Sequence, residues 1–171
     1  MKGTEALGRG GPMGVFGLGL ALLFVAACDH DPEPAAAPPE TYVTMTDAEL
    51  SAALEAAKVS ARANDRRILL DFGADWCSDC REVLRLAHEP AVAALLADQY
   101  ETIVIDVGRF DRHTELLEHY GIDHIATLVV LDANGDRIAQ TTLEPISGEA
   151  SGLTDARLAS WLRNPTDHWQ P

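Results

Sequence analysis

Two cysteines separated by two residues, Cys77 and Cys80, constrain this 171-residue chain more than any other feature of its sequence. They follow a short apolar run, Ile68–Phe72, that is typical of a buried strand, and they precede a segment with helical spacing. Cysteines three positions apart on the first turn of a helix can close a small disulfide with little rearrangement. The N–H groups and the dipole at a helix N-terminus favour a thiolate at the first position. The pattern therefore predicts that Cys77 is a solvent-facing nucleophile and that Cys80, pointing inward, resolves the mixed disulfide.

A CxxC pair is also a common half of a zinc site, which would need two further ligands at a suitable distance. Four histidines of the same part of the chain are scattered rather than paired at ligand spacing: His88, His113, His119 and His124. We therefore predict no metal site at the dithiol, and no cofactor other than the redox-active disulfide itself.

From Tyr42 onward, the pattern predicts one domain in which helices alternate with strands before a final hairpin. Thr46–Glu49 is a capping box that begins the first helix, and Ala133–Asp136 is a turn between two strands. The expected fold class is α/β, with a central mixed β-sheet flanked by helices on both faces. The later segments are the strand Ile68–Phe72, a helix Trp76–His88 that Pro90 breaks or restarts and that continues through Val92–Leu96, the strand Thr102–Val107, a helix Arg112–Tyr120, the strands Ala126–Leu131 and Arg137–Thr142, and a last helix capped by Thr154.

The N-terminus has the pattern of an export signal. Lys2 and Arg9 precede a run, Val15–Ala27, in which every residue is apolar or Gly. This run is shorter than the roughly 20 residues that span a bilayer, which favours a signal peptide over the alternative, a transmembrane anchor. The run ends in Val25–Cys28 (VAAC), which resembles the lipobox of bacterial lipoproteins. The resemblance implies cleavage before Cys28, lipidation of Cys28, and attachment to a membrane through its acyl chains.

We divide the chain into a signal peptide (1–27), the lipidated Cys with a Pro/Ala-rich tether (28–41), a folded domain (42–163) and a C-terminal tail (164–171). The formal net charge is −14, with 13 basic and 27 acidic residues, which excludes a nucleic-acid phosphate binder. Removal of residues 1–27 would leave a net charge of −15. Membrane attachment would therefore depend on lipid rather than on basic residues.

The segment Ile68–Arg81 (ILLDFGADWCSDCR) resembles the active-site segment of the thioredoxin superfamily. A second segment, Tyr120–Leu131, followed by Asn134–Gly135, resembles the second landmark of that family and its hairpin. The resemblance covers roughly residues 42–163, and it is nearest to the periplasmic C-terminal domain of the transmembrane thiol–disulfide interchange reductases. It implies a thioredoxin-like fold and activity as a disulfide reductase, oxidant or isomerase.

The resemblance also assigns roles to single residues. Asp71 matches the family's buried acid behind the resolving thiol, where a carboxyl with a raised pKa accepts the proton of Cys80. The alternative is a solvent-facing Asp at a strand end. Trp76 matches the indole beside the redox pair that shapes the substrate face, with an ordinary core Trp as its alternative. Ala126 and Thr127 match the substrate-binding landmark opposite the dithiol.

At two positions the chain departs from the family or modifies its chemistry. Ala126 stands where the family usually has a cis-Pro, and because a cis bond before a residue other than Pro is costly, we expect a trans peptide there. Without the cis-Pro, the sequence does not determine how a substrate docks or whether metal is excluded from the dithiol. Asp79, between the cysteines, is expected to place negative charge near Cys77, to raise its thiol pKa and to make the protein reducing.

We therefore expect a membrane-tethered, extracytoplasmic thiol–disulfide oxidoreductase, a bacterial lipoprotein of the cell envelope. Its partners would be protein thiols or disulfides and an upstream electron donor, it would not bind nucleic acid, and it would be a monomer. Two alternatives remain open: a thioredoxin-like protein that binds copper or another thiophilic metal, and an adaptor without catalysis.

Overall fold

The fold is built around a four-stranded mixed sheet in the computed structural model, which describes residues 35–148, 150–167 and 169. The predicted signal peptide and Cys28 lie outside the described residues. The elements in chain order are α1 Asp47–Asn64, β1 Arg67–Gly73, α2 Ser78–Ala87, α3 Pro90–Gln99, β2 Tyr100–Asp106, α4 Thr114–Tyr120, β3 Thr127–Leu131, β4 Arg137–Thr142 and α5 Asp155–Arg163.

The strand order is β2-β1-β3-β4, so β1 and β3 lie at the centre of the sheet. β2 runs parallel to β1, whereas β3 is antiparallel to β1, and β4 is antiparallel to β3. The two central strands are nearly continuous apolar runs and are buried along their lengths. Such runs require cover on both faces of a sheet, which confirms the predicted mixed sheet between two helical layers.

The period-2 alternation of β1 decides what each face of the sheet contacts. Ile68, Leu70 and Phe72 pack in the core beneath α1 and α4. Leu69 and Asp71 point to the opposite face, which α2, α3 and α5 cover. A carboxyl group is thus directed into a layer that is otherwise built from aliphatic side chains.

Pro90 separates two helices, as its position in the sequence indicates. It occupies the first turn of α3, where its missing N–H is not needed, so α2 and α3 are distinct elements. The helix predicted to begin at Arg112 begins instead at Thr114. Phe110 and His113 adopt positive φ values of 65° and 53°, a backbone conformation that cannot continue into a helix, and the turn therefore delays its start.

The last part of the predicted tether lies against the domain. The N–H of Ala35 donates to the carbonyl of Ala97 in α3 at 3.2 Å, and Pro38 is buried. The carbonyl of Pro39 lies 3.4 Å from His88 Nε2. Residues 35–41 therefore contact the ends of α2 and α3. None of the helices in the described residues has the length and apolarity to cross a membrane.

The capping box predicted from Thr46–Glu49 is present at the start of α1. Thr46 Oγ1 accepts from the N–H of Glu49 at 3.2 Å, and the Glu49 side chain accepts from the N–H of Thr46 at 2.7 Å. We expect Thr46→Ala to lower the free energy of unfolding by about 1 kcal/mol, because two helix-terminal contacts are lost. Denaturant unfolding measures the change. Ser51→Ala, on the exposed second turn of α1, is the control and should change it by less than about 0.5 kcal/mol.

Candidate active site

The N-terminus of α2 holds the two cysteines, which are joined in a disulfide. Cys77 is the N-cap, and its Sγ accepts from the N–H of Cys80 at 3.0 Å. The Cys77 N–H donates to the carbonyl of Ala74 at 3.0 Å, which ties the cap to the turn that follows β1. A strand, a tight turn and the first turn of a helix therefore bring the Cα atoms of the pair to 5.3 Å.

The two cysteines differ in their access to solvent. Both cysteines are buried, so the expectation that Cys77 faces solvent is wrong for the disulfide form, but Cys80 has an exposed fraction of 0% whereas Cys77 retains 7%. A partner thiolate can therefore reach Cys77 more easily than Cys80. This order agrees with the predicted roles of nucleophile and resolving thiol, which stay predictions.

Asp71 is 4% exposed, so it is not the solvent-facing residue of the alternative interpretation. Burial raises the pKa of its carboxyl from 3.8 to about 7, and a hydrogen bond from Tyr42 opposes this rise. Apolar side chains of α2, α3, β3 and α5 surround it: Val83, Leu84, Ala87, Val92, Leu96, Leu128, Leu158 and Leu162. A carboxyl that titrates near neutral pH can both accept and donate a proton under working conditions.

Tyr42 is a member of this site that the sequence pattern did not identify. Its hydroxyl donates to Asp71 Oδ1 at 3.0 Å and lies 3.5 Å from the carbonyl oxygen of Cys80. Its backbone N–H donates to Asp75 Oδ1 at 3.0 Å. The segment before α1 therefore reaches the redox pair. The only sequence signal was an aromatic residue at the point where the Pro-rich stretch gives way to globular pattern.

Trp76 is 52% exposed beside Cys77, so it is not an ordinary core residue. Its indole N–H donates to the carbonyl of Gly108 at 2.7 Å, and the Arg109 guanidinium lies 5.7 Å from the ring centroid. These contacts fix the ring on the side of the β2–α4 loop. An aromatic face next to the disulfide is available to a partner, as its predicted role in substrate binding requires.

Asp79, between the two cysteines, is buried and hydrogen-bonded. Its carboxylate accepts from the N–H groups of Ile146 and Ser147 at 2.6 and 3.1 Å and from the Ser147 hydroxyl at 2.5 Å. Burial raises the pKa of Asp79, but these three hydrogen bonds outweigh it and leave the pKa below its ordinary value. The residue therefore remains ionised at neutral pH and attaches the loop after β4 to the first turn of α2.

The expectation of a trans peptide before Ala126 is wrong, because the Ile125–Ala126 bond is cis. The trans preference is an intrinsic property of an isolated peptide, whereas contacts of the fold hold this backbone. The Ala126 carbonyl accepts from the N–H of Leu143 at 2.7 Å, and Thr127 Oγ1 donates to the His124 carbonyl at 2.9 Å. Ala126 and Thr127 are both buried. Their side chains are therefore not exposed to a substrate, and the substrate-binding role predicted for them stays a prediction.

Among residues 35–148, 150–167 and 169, no three or more His, Cys, Asp or Glu side chains are grouped as a metal site would need.

Because the pKa of Asp71 is raised in the folded protein, the free energy of unfolding should depend on pH. The unfolded carboxyl ionises near 3.8 and the folded one at about 7, so the stability of the oxidised protein should fall as the pH rises from 4 to 7. Asp71→Asn removes this cost. We expect it to raise the free energy of unfolding at pH 8 by about 2–4 kcal/mol, and to change it little at pH 4. Denaturant unfolding at both pH values is the measurement.

Asp79→Asn is the matched control, since its pKa is shifted in the opposite direction. The ionised Asp79 stabilises the fold above its ordinary pKa, and this contribution is lost as the pH falls through the lowered folded pKa. We therefore expect Asp79→Asn to lower stability at pH 8. An Asp71→Asn protein that is destabilised equally at both pH values would contradict the assignment of Asp71 as a carboxyl with a raised pKa.

Three comparisons relate this site and fold to known proteins. Residues 49–133 match a family model described as thioredoxin-like. Over 85 residues, the chain is 34% identical to the thiol:disulfide interchange protein DsbD of Vibrio vulnificus, covering 48% of this chain and 14% of that protein. It is 38% identical over 77 residues to thioredoxin of Porphyra purpurea, covering 44% and 64% of the two chains. The chain thus spans less than two thirds of these curated relatives.

Solved structures extend the likeness to the whole domain. A disulphide isomerase from Xylella fastidiosa superposes with a TM-score of 0.61 at 30% identity, covering 71% of this chain and 93% of that one. The oxidised C-terminal domain of DsbD from Neisseria meningitidis has the same fold, with a TM-score of 0.51 at 24% identity over 71% and 97%. Residues 49–133 match the thioredoxin-like family model, and the likeness to the Xylella protein covers 93% of that protein at 30% identity. This chain therefore belongs to the thioredoxin superfamily.

Proposed function

We propose that this protein is a membrane-tethered, extracytoplasmic thiol–disulfide oxidoreductase that acts as a disulfide reductase or an electron relay. The observation that carries the proposal is the Cys77–Cys80 disulfide at the N-terminus of α2, above the buried Asp71. Membership of the thioredoxin superfamily and the likeness to thiol:disulfide interchange proteins support it. Its substrates would be disulfides of other proteins, and an upstream dithiol would return the pair to its reduced form.

In the reducing direction, the Cys77 thiolate attacks one sulfur of a substrate disulfide. A mixed disulfide forms, and the other substrate sulfur leaves as a thiolate that takes a proton from water. Asp71 then accepts the proton of Cys80, whose thiolate attacks Cys77 Sγ. The Cys77–Cys80 bond forms and the substrate sulfur leaves. The substrate disulfide has gained two electrons, which the dithiol has lost.

The direction of electron flow follows from the charges at the first turn of α2. A helix N-terminus stabilises the Cys77 thiolate, whereas the ionised Asp79 on the same turn opposes this effect. A thiolate that is less stabilised makes the reduced form less favoured and the pair more reducing. The protein would therefore donate electrons.

Membrane attachment is proposed from the sequence of the N-terminus. Cys28 would carry the acyl chains, and the Pro/Ala-rich segment after it leads to residues 35–41, which contact α2 and α3. The likeness to DsbD supports an extracytoplasmic location, on the periplasmic or extracellular side of the membrane. Cys28→Ala should abolish incorporation of labelled fatty acid and release the protein from the membrane fraction; retention of both would exclude this anchor.

A disulfide-reduction assay tests the chemistry directly. We expect the full chain to reduce protein disulfides with dithiothreitol as donor, and Cys77→Ser to lower the rate at least 100-fold because the attacking thiolate is lost. In Cys80→Ala the mixed disulfide should accumulate, which allows the captured partner to be identified by mass spectrometry.

Equal inactivity of the wild type and Cys77→Ser on several protein disulfides would contradict a catalytic role. Stoichiometric copper(I) binding that is lost in Cys80→Ser would then favour the metal-binding alternative, and its absence would favour an adaptor.

The redox potential tests the direction of electron flow. We expect a value near −270 mV from equilibration with glutathione, on the reducing side of the family range. A potential above about −170 mV would show that the protein is an oxidant, not a reductase.

A further inference from the structure

Tyr42 joins the segment that precedes α1 to the buried end of the redox site. The side chain is almost completely buried, and its hydroxyl lies between two groups, Asp71 Oδ1 at 3.0 Å and the Cys80 carbonyl at 3.5 Å. The Asp71 carboxyl and the backbone of the resolving cysteine therefore share one donor. Among the described residues, no other side chain donates a hydrogen bond to this carboxyl.

The strand that carries Asp71 makes room for the tyrosine ring. A Cβ placed on Gly73 would lie 2.3 Å from ring atoms of Tyr42. Since real Cβ contacts are never that short, only glycine at this position allows the ring to lie against β1. The placement of the hydroxyl thus depends on both Tyr42 and Gly73.

Tyr42 acts as a permanent donor because it does not ionise in the working range. Burial raises the pKa of its hydroxyl well above its usual value, and the carboxylates of Asp71, Asp75 and Asp106 raise the pKa further. A neutral hydroxyl that donates to a carboxylate stabilises the ionised form of that acid. The hydrogen bond accordingly lowers the pKa of Asp71, against the larger effect of burial.

The surroundings supply no cation in contact with this pair among the described residues. Asp75, after β1, accepts from the N–H of Tyr42, and Asp106, at the end of β2, pairs with Arg112 and accepts from Thr44. The side chains of α2, α3, β3 and α5 that line the small cavity beside Asp71 are aliphatic, and Thr102 of β2 is the other polar residue of that lining. Among the described residues, the Tyr42 hydrogen bond is therefore the interaction that lowers the pKa of Asp71 and favours its ionised form.

We propose that Tyr42 is a positioning residue for the redox reaction, and that its hydroxyl sets how readily Asp71 exchanges a proton with Cys80. The inference rests on the proposed oxidoreductase function. The two half-reactions need opposite forms of Asp71. When Cys80 attacks the mixed disulfide, the ionised carboxylate takes its proton; when a donor thiolate attacks Cys77 and the Cys77–Cys80 bond breaks, the protonated carboxyl returns a proton to the Cys80 thiolate.

Tyr42→Phe removes the hydroxyl and keeps the ring, so its effect should differ between the half-reactions. A lost hydrogen bond to a carboxylate makes the proton bind about tenfold more tightly. At pH 7 the ionised fraction of Asp71 then falls about fivefold, while the protonated fraction changes by less than about twofold. We expect the resolving step to slow about fivefold, and reduction of the disulfide to stay within about twofold of wild type.

The experiment uses the full chain and two small probes. Oxidised glutathione reacts with the reduced protein, and the decay of the glutathione mixed disulfide, followed by acid quench and mass spectrometry, gives the rate of the resolving step. Dithiothreitol reacts with the oxidised protein, and the fluorescence of Trp76 follows the opposite half-reaction. Both rates are measured from pH 5.5 to 9.5. In the wild type the midpoint of the resolving step should lie at about 7, and in Tyr42→Phe it should move up by about one pH unit.

Tyr100→Phe is the matched control. Tyr100 is as deeply buried as Tyr42, and its hydroxyl donates to the Leu162 carbonyl at 2.5 Å rather than to Asp71. We expect this variant to lose stability without a change in the midpoint. Gly73→Ala is a second probe, because the added Cβ displaces the Tyr42 ring and moves its hydroxyl away from Asp71 without removing it; it should shift the midpoint in the same direction as Tyr42→Phe.

An unchanged midpoint in Tyr42→Phe, or equal slowing of both half-reactions, would overturn the inference and leave Tyr42 as a packing residue. If the wild type reacts with neither probe, the proposed function itself fails. The two failures are therefore distinguishable.

Discussion

The redox site depends on a carboxyl group placed in an aliphatic layer. Asp71 is directed there by the alternation of β1, and α2, α3 and α5 cover it because the rest of that face is apolar. Burial holds the pKa of this carboxyl at about 7 rather than 3.8, at a cost in stability at neutral pH. The same burial gives Asp71 the pKa that the proposed proton exchange with Cys80 requires. The burial of Asp71 that the proposed function uses therefore also lowers the free energy of unfolding at neutral pH.

The first turn of α2 is held from two sides by different interactions. On one side, the Trp76 indole donates to the Gly108 carbonyl and leaves an aromatic face open beside Cys77. On the other side, Asp79 accepts three hydrogen bonds from Ile146 and Ser147. The Asp79 carboxylate, between the two cysteines, therefore attaches the loop after β4 to α2. The same hydrogen bonds hold its negative charge at a fixed position relative to the dithiol. Below, Tyr42 connects the acid to the backbone of Cys80.

Features that depend on neighbouring residues could be predicted from the sequence, and features that depend on distant contacts could not. Apolar and β-branched runs identified the strands, and Thr46 and Thr154 marked the starts of α1 and α5 because capping is a local interaction. The expected start of α4 at Arg112 was wrong because positive φ values at Phe110 and His113 leave no local signal. The trans peptide expected before Ala126 was wrong because tertiary hydrogen bonds hold that backbone.

The sequence by itself determined where the reactive groups lie: a CxxC pair at the start of a helix, an acid in the preceding strand, and an aromatic residue beside the first cysteine. These assignments hold because strand alternation and helix capping act within a few residues. Only the tertiary structure decided which groups surround that chemistry. It brought Tyr42 to Asp71 across 29 positions of sequence, and Ser147 to Asp79 across 68, because hydrogen bonds between distant segments form only when the sheet and its helices have packed.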